Sequence, residues 1–162
     1  MSALQWNISS NTTSGELEVE LAGSITEKSQ IADFIDILKG HSFSRLKIDL
    51  SKISEVNSTG IAGWMKFIEY HKQENIDLVF VDVSITIVQQ LNMIKQFLGN
   101  AHLESFQAPY YCSSCKKEST VTIQIPNEKK VELATELPCE NCGHQKEFDE
   151  IIDSYLSFQE AS

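Results

Sequence analysis

Apolar and polar residues alternate along three stretches of the first half of the chain. Leu4-Gln5-Trp6-Asn7-Ile8 is the first; Leu17, Val19 and Leu21 interleaved with Glu16, Glu18 and Glu20 form the second. The third sets Leu46, Ile48 and Leu50 against Lys47 and Asp49. A two-residue period turns one side of a strand to a core and the other to water, so each stretch predicts a half-buried strand. The turn cluster SSNTTSG, Ser9 to Gly15, predicts that the first two pair as a hairpin. Leu78 to Val81 (LVFV) is a continuous apolar run, as in a central strand, and Leu103 to Gln107 predicts a last one.

Between these stretches the period lengthens to that of a helix. Ile31, Phe34, Ile35 and Leu38 make one stripe, opened by Thr26 or Ser29 and closed by Gly40 as C-cap. After the third strand, Ser51 and Lys52 predict a turn, and Ile53 and Val56 anchor the following loop on the core. Ile61, Trp64, Met65 and Ile68 then run at helical spacing, which His71 and Lys72 continue, and Asn75 ends the helix. Ser84 caps a third helix containing Val88 and Leu91, with Ile94 and Leu98 at the same spacing. The order β-β-α-β-α-β-α-β predicts an α/β fold, a mixed sheet with helices packed against it.

Asn57-Ser58-Thr59-Gly60 joins the third strand to the second helix, with Ser58 or Thr59 placed as its N-cap. Free N–H groups and partial positive charge collect there, so a phosphate on a hydroxyl at this point is stabilised locally. Gly60 lets a backbone or a partner approach closely. The plainer reading is that Ser58 does no more than cap.

Asp49-Leu50-Ser51-Lys52-Ile53 and Asn57-Ser58-Thr59-Gly60-Ile61 together resemble the signature of the STAS family, the anti-sigma factor antagonists of bacteria. Leu21-Ala22-Gly23-Ser24-Ile25, Leu78 to Val81 and Val83-Ser84 resemble further segments of it, so the likeness extends over about the first 105 residues. It implies a STAS-like fold and a phosphoacceptor at Ser58, with Thr59 a weaker acceptor. It also implies a partner-binding surface at Asn57, Ser58, Thr59, Gly60 and Ile61 for an anti-sigma factor that is a serine kinase. The family carries Asp where this chain has Asn57. That departure removes a carboxylate beside the acceptor and bears on its regulation, not on the fold.

Pro109 marks the expected boundary between a STAS-like domain, 1–108, and a smaller module, 109–162. All four cysteines of the chain lie in the second part, as Cys112-Ser113-Ser114-Cys115 and Cys139-Glu140-Asn141-Cys142. Two residues between cysteines turn both sulfurs toward one ion, and two such knuckles complete a tetrahedral thiolate shell for a structural Zn²⁺. Two disulfides are the alternative, disfavoured in a reducing compartment. His144 is a possible substitute ligand. Thr120, Thr122 and Gln124 alternate with Val121, Ile123 and Ile125, then Pro126-Asn127-Glu128-Lys129 turns and Val131-Glu132-Leu133 returns. That hairpin between knuckles resembles a zinc ribbon. Gly143 suits the tight backbone of the second knuckle, whereas Lys116 stands at the equivalent place in the first and predicts a looser one. Phe148, Ile151, Ile152, Tyr155 and Leu156 share a stripe, predicting a terminal helix from Phe148 to Phe158 that packs on its own domain or docks a partner or a second copy.

Charge narrows the functional classes. The net charge is −10, Arg45 is the only arginine, and each half on either side of Pro109 carries −5, so no basic face for nucleic acid is expected. An apolar fraction of 41% suffices for a core, and no apolar run is long enough to span a bilayer. The first residues lack the basic start and apolar stretch of a secretory signal, which leads to the expectation of a cytoplasmic protein. No carboxylate pair, phosphate-binding glycine loop or nucleophile with a histidine partner is evident. His41, His71, His102 and His144 are scattered and expected at the surface. Together with these exclusions the resemblance implies a non-enzymatic regulatory module similar to the anti-sigma factor antagonists, with two rivals: a STAS-like subunit of a lipid-trafficking ABC transporter, and a zinc-ribbon accessory factor in transcription.

Overall fold

The structure, a computed structural model, describes residues 3–11, 15–127 and 129–161. Residues 12–14 of the Ser9–Gly15 turn cluster and Glu128 of the turn after Pro126 lie outside them.

Strand β1 (Gln5–Asn11) pairs antiparallel with β2 (Glu16–Ile25), as the alternation predicts. Three parallel strands follow at β2's other edge: β3 (Arg45–Val56), β4 (Asp77–Val81) and the short β5 (His102–Leu103), giving a sheet in chain order. Register sets Leu17 beside Leu46 and Leu78, and Val19 beside Ile48 and Phe80, so the apolar halves of all three strands fall on one face. Helix α1 (Ile31–Lys39) covers that face with Ile31, Phe34 and Leu38, and α2 (Ser58–Gln73) with Trp64, Phe67 and Ile68. A file of rings runs through the layer from Trp6 to Phe34, Phe67, Trp64 and Phe97, with centroids 5.0–5.7 Å apart. Trp64 Nε1 donates to Phe97 O at 2.9 Å, so its one polar atom is satisfied in the core.

Several local expectations are corrected by packing. Ser51 and Lys52 are not a turn: β3 runs on through Val56, and shifts of register with β2 between Glu20 and Ala22 and between Gly23 and Ser24 absorb the mismatch. Ile53 is nevertheless buried, as an anchor should be. Helix α1 is capped by neither Thr26 nor Ser29. Gln30 precedes it at φ 55°, and Ser29 Oγ turns back into its own loop, 3.1 Å from Ser24 O. Gly40 ends that helix as expected, and Asn75, at φ 56°, follows the end of α2. Helix α3 (Ile85–Met93) is capped by Ser84, whose hydroxyl accepts Ile87 N–H and donates to Ile53 O.

The predicted strand Leu103–Gln107 is divided between two sheets. Its first residue closes the first sheet in β5, whereas β6 (Ser105–Cys112) opens a second, antiparallel sheet with β7 (Lys117–Gln124), β9 (Gln145–Phe148) and β8 (Glu136–Pro138), in the order β7-β6-β9-β8. Pro109 therefore lies within a strand, and the change of sheet comes at Glu104. Its ring is tolerated because its nitrogen faces away from β7, toward the margin of β9 where only Asp149 N–H meets Pro109 O. Val83 stitches the sheets together, donating to Ser105 O and accepting from Gln107 N–H. Val131–Leu133 is loop, not a return strand: β7 finds its partner in β6 through the first cysteine turn.

The terminal helix is shorter than its stripe predicts. Phe148 is in β9, α4 spans Ile152–Tyr155, a 3-10 turn covers Ser157–Ala161, and Ile151 is exposed. The segment packs on its own chain. Asn92 of α3 holds it, donating to Tyr155 O and accepting from Phe158 N–H and Ser157 Oγ, while Tyr155 OH donates to Gln107 O.

Candidate functional site

Two places concentrate chemistry, the start of α2 and the four cysteines. At the first, β3 ends at Val56 and Asn57 breaks into extended backbone (φ −121°, ψ 172°) as the N-cap, displacing Ser58 and Thr59 from that role. Its Oδ1 accepts Gly60 N–H at 2.9 Å. An amide oxygen caps as well as a hydroxyl, and this one is a residue earlier, so Ser58 becomes the first helical residue. Ser58 and Thr59 are exposed.

Gly60 and Ile61 both take part in the packing of the fold. A Cβ on Gly60 would lie 1.9 Å from Ile25 O, so the close approach is that of the chain's own backbone at the end of β2. Asn57 N–H donates to Ile25 O at 3.1 Å beside it. Ile61 packs partly against the core. Of the five residues expected at the surface, Ser58 and Thr59 point outward, Asn57 is half-buried, Gly60 is buried and Ile61 is inward-leaning.

One participant was not singled out from sequence. Glu27, in the loop after β2, accepts 2.8 Å from Asn57 Nδ2. That bond holds the Glu27 carboxyl below the usual range. Helix α2 has no acid in its first turn, so Glu27 supplies negative charge there from 30 residues away. No local pattern marks it, because the contact exists only once β2 and β3 pair.

In the second place, Cys112 ends β6, Cys115 lies in the turn to β7, Cys139 follows β8 and Cys142 precedes β9. All four sulfurs lie within 4.8 Å of one another and none is in a disulfide, so the cluster could hold a metal ion. The two knuckles share one geometry: Lys116 N–H donates to Cys112 O at 2.8 Å and Gly143 N–H to Cys139 O at 2.9 Å. Both donors have left-handed backbone, φ 58° and 77°. Lys116 thus gives the first knuckle the same backbone turn as the second. It adopts the conformation glycine adopts in the second.

The thiols differ in their surroundings. The Asn141 side chain, aided by the neighbouring sulfurs, holds Cys115 down to about 6. Lys117 Nζ donates to Asn141 Oδ1 at 3.1 Å. For Cys142 the backbone N–H of His144 pulls downward. Desolvation and the hydrogen bonds with Cys112, Cys115 and Cys139 outweigh it and push the thiol up to about 12. His144 contributes backbone only: its carbonyl accepts Cys139 N–H at 2.7 Å, its side chain is exposed, and it is no member of the sulfur cluster. Beside the second knuckle the buried Lys146 ammonium bonds both Glu140 carboxylate oxygens, at 2.7 and 2.9 Å, and Ser119 Oγ.

Of the remaining histidines, His41 and His102 are exposed as expected, but His71 is only 1% exposed, packed on Phe67 in the core. Among the described residues no helix is long and apolar enough to cross a membrane. No protein-family model matches the chain, and no curated protein does.

Proposed function

We propose that this chain is a non-enzymatic regulatory binding module of the kind found in bacterial anti-sigma factor antagonists, acting in the cytoplasm on an anti-sigma factor that is also a serine kinase. The observation that carries the reading is the placement of Ser58. It is exposed at the first position of a helix whose start is fixed by the Asn57 cap and the Gly60 contact. A rigid, outward hydroxyl at a helix N-terminus suits a kinase substrate. Phosphorylation adds about −1.5 to −2 charges there, beside the carboxylate that Asn57 holds. A protein surface docked on this end loses affinity through repulsion and the cost of burying the phosphate. The unmodified module binds and the phosphorylated one lets go.

The second module is read as a structural Zn²⁺ site. Zinc–sulfur bonds of about 2.3 Å in a tetrahedron put the sulfurs about 3.8 Å apart. The 3.5 Å Cys112–Cys142 and 3.7 Å Cys115–Cys139 separations are close to that. Four thiolates leave no open position, so the ion holds the knuckles and performs no chemistry.

The test is a quantitative pull-down from host lysate with wild type, Ser58→Ala and Ser58→Asp as baits. Capture of one ATP-binding kinase by the first two and its loss with the third supports the reading; a partner indifferent to position 58 overturns it. Metal analysis of the same preparations should give about one Zn²⁺ per chain, lost in Cys112→Ser and Cys139→Ser.

A further inference from the structure

Strand β7 is the terminal strand of the second sheet, and no described strand pairs with its outer edge. Which of its backbone groups face outward follows from the ladder. Ser105 O, Gln107 N–H and Pro109 O are spent on Val83 and Asp149, on the side of β6 away from β7, and Ile125 N–H donates to Glu104 O at 2.8 Å, so Phe106, Ala108, Tyr110 and Cys112 are the residues of β6 that bond to β7. In an antiparallel ladder bonded pairs alternate with unbonded ones. Ile123, Val121, Ser119 and Lys117 therefore spend their N–H and C=O groups on β6. Glu118, Thr120, Thr122 and Gln124 turn theirs away from it. Pro109, which has no N–H to give, sits opposite Thr120, as this phase requires. All four outward residues are exposed.

Natural edge strands are protected by charge, proline or a bulge. From Ser119 to Ile125 this one has none of them: the sequence is STVTIQI and the register with β6 is unbroken through Gln124. We propose that this edge is an interface between two copies of the chain, joined antiparallel about a two-fold axis at Val121.

That register is singled out by its bookkeeping of hydrogen bonds. It sets Glu118 opposite Gln124 and Thr120 opposite Thr122, so every outward group of the four residues is bonded. A shift by one pair either way leaves some unpaired or brings Pro126 into the ladder. Val121 meets its own copy, and Ser119 meets Ile123. Threonine pairs across strands are favourable, and no two like charges face each other although the chain carries −10. The result is a continuous eight-stranded sheet through both zinc modules, with both Ser58 surfaces outside the interface strands.

The experiment is sedimentation equilibrium of the zinc-loaded full chain from low micromolar to submillimolar concentration. Wild type should reach twice the monomer mass. Thr122→Pro removes an outward N–H that β6 does not use and should give a monomer with its zinc intact. A second pair of variants decides the matter if that proline disturbs the fold. Thr120→Lys with Thr122→Lys puts lysine opposite lysine across the axis and should weaken the dimer by about tenfold. Thr120→Lys with Thr122→Glu puts opposite charges there and should restore it. A wild type that stays monomeric overturns the proposal. So does a dimer that survives Thr122→Pro, or one equally weakened in both double variants.

Discussion

The carboxylate of Glu27 receives the amide N–H of Asn57 at 2.8 Å while the other end of the same amide caps Gly60 N–H at 2.9 Å. An amide does both because its donor and its acceptor sit on separate atoms, whereas a carboxylate only accepts. Aspartate at position 57 keeps the cap and loses the donor, placing two carboxylates together. Asn57→Asp is therefore expected to lower the melting temperature at neutral pH, and Glu27→Gln in the same chain to restore it. Asn57→Ala, which removes the cap, should cost about 1 kcal/mol in urea unfolding. A neutral Asn57→Asp would mean that the Glu27 contact has no weight in solution.

Gly60 meets backbone, not a yielding side chain. With Ile25 O at 1.9 Å and Thr26 N at 2.6 Å from an added Cβ, Gly60→Ala must push α2 off the end of β2. A loss of about 3 kcal/mol is expected by chemical denaturation. If the proposed kinase docks on this helix start, its displacement should also weaken that binding even though Ser58 is untouched.

Lys116 holds a left-handed backbone at φ 58° where the second knuckle uses glycine. A side chain in that region is strained by about 1 kcal/mol relative to glycine. Lys116→Gly is expected to stabilise the metal-loaded protein by about that much and to slow transfer of the metal to a chelator. Gly143→Lys should do the reverse.

His71 is buried with Nδ1 3.0 Å from Phe67 O and with Nε2 lacking a partner among the described residues. Desolvation lowers its pKa from the ordinary 6.5, opposed in part by that carbonyl and helped by Lys72. The unfolded chain therefore takes up its proton first as pH falls. This residue's contribution to stability is full above pH 6.5 and declines below it until the folded-state pKa is reached. The slope of unfolding free energy against pH between 7 and 5, measured with urea, should flatten in His71→Phe. An unchanged slope would place the acid sensitivity elsewhere.

Period and spacing alone determined much of this protein. Alternation in Glu16–Leu21 and Leu46–Leu50, the stripes of α1 and α2, the Ser84 cap and the convergence of two CxxC pairs were all readable from the chain. The strands, stripes and cap depend on residues within a few positions of one another, so the local pattern already encodes which side meets water, and the convergence of the two cysteine pairs was readable because each pair alone offers only half of a four-sulfur shell. Tertiary structure decided what depends on distant partners. It let β3 run past Ser51 by shifting register against β2, and gave β7 to β6 in place of Val131–Leu133. It drew His71 into the core, where its helical spacing matched either a surface or a buried place. It also chose Asn57 over Ser58 as the cap, because Glu27 and the backbone of Ile25 arrive at that helix only when the sheet is assembled.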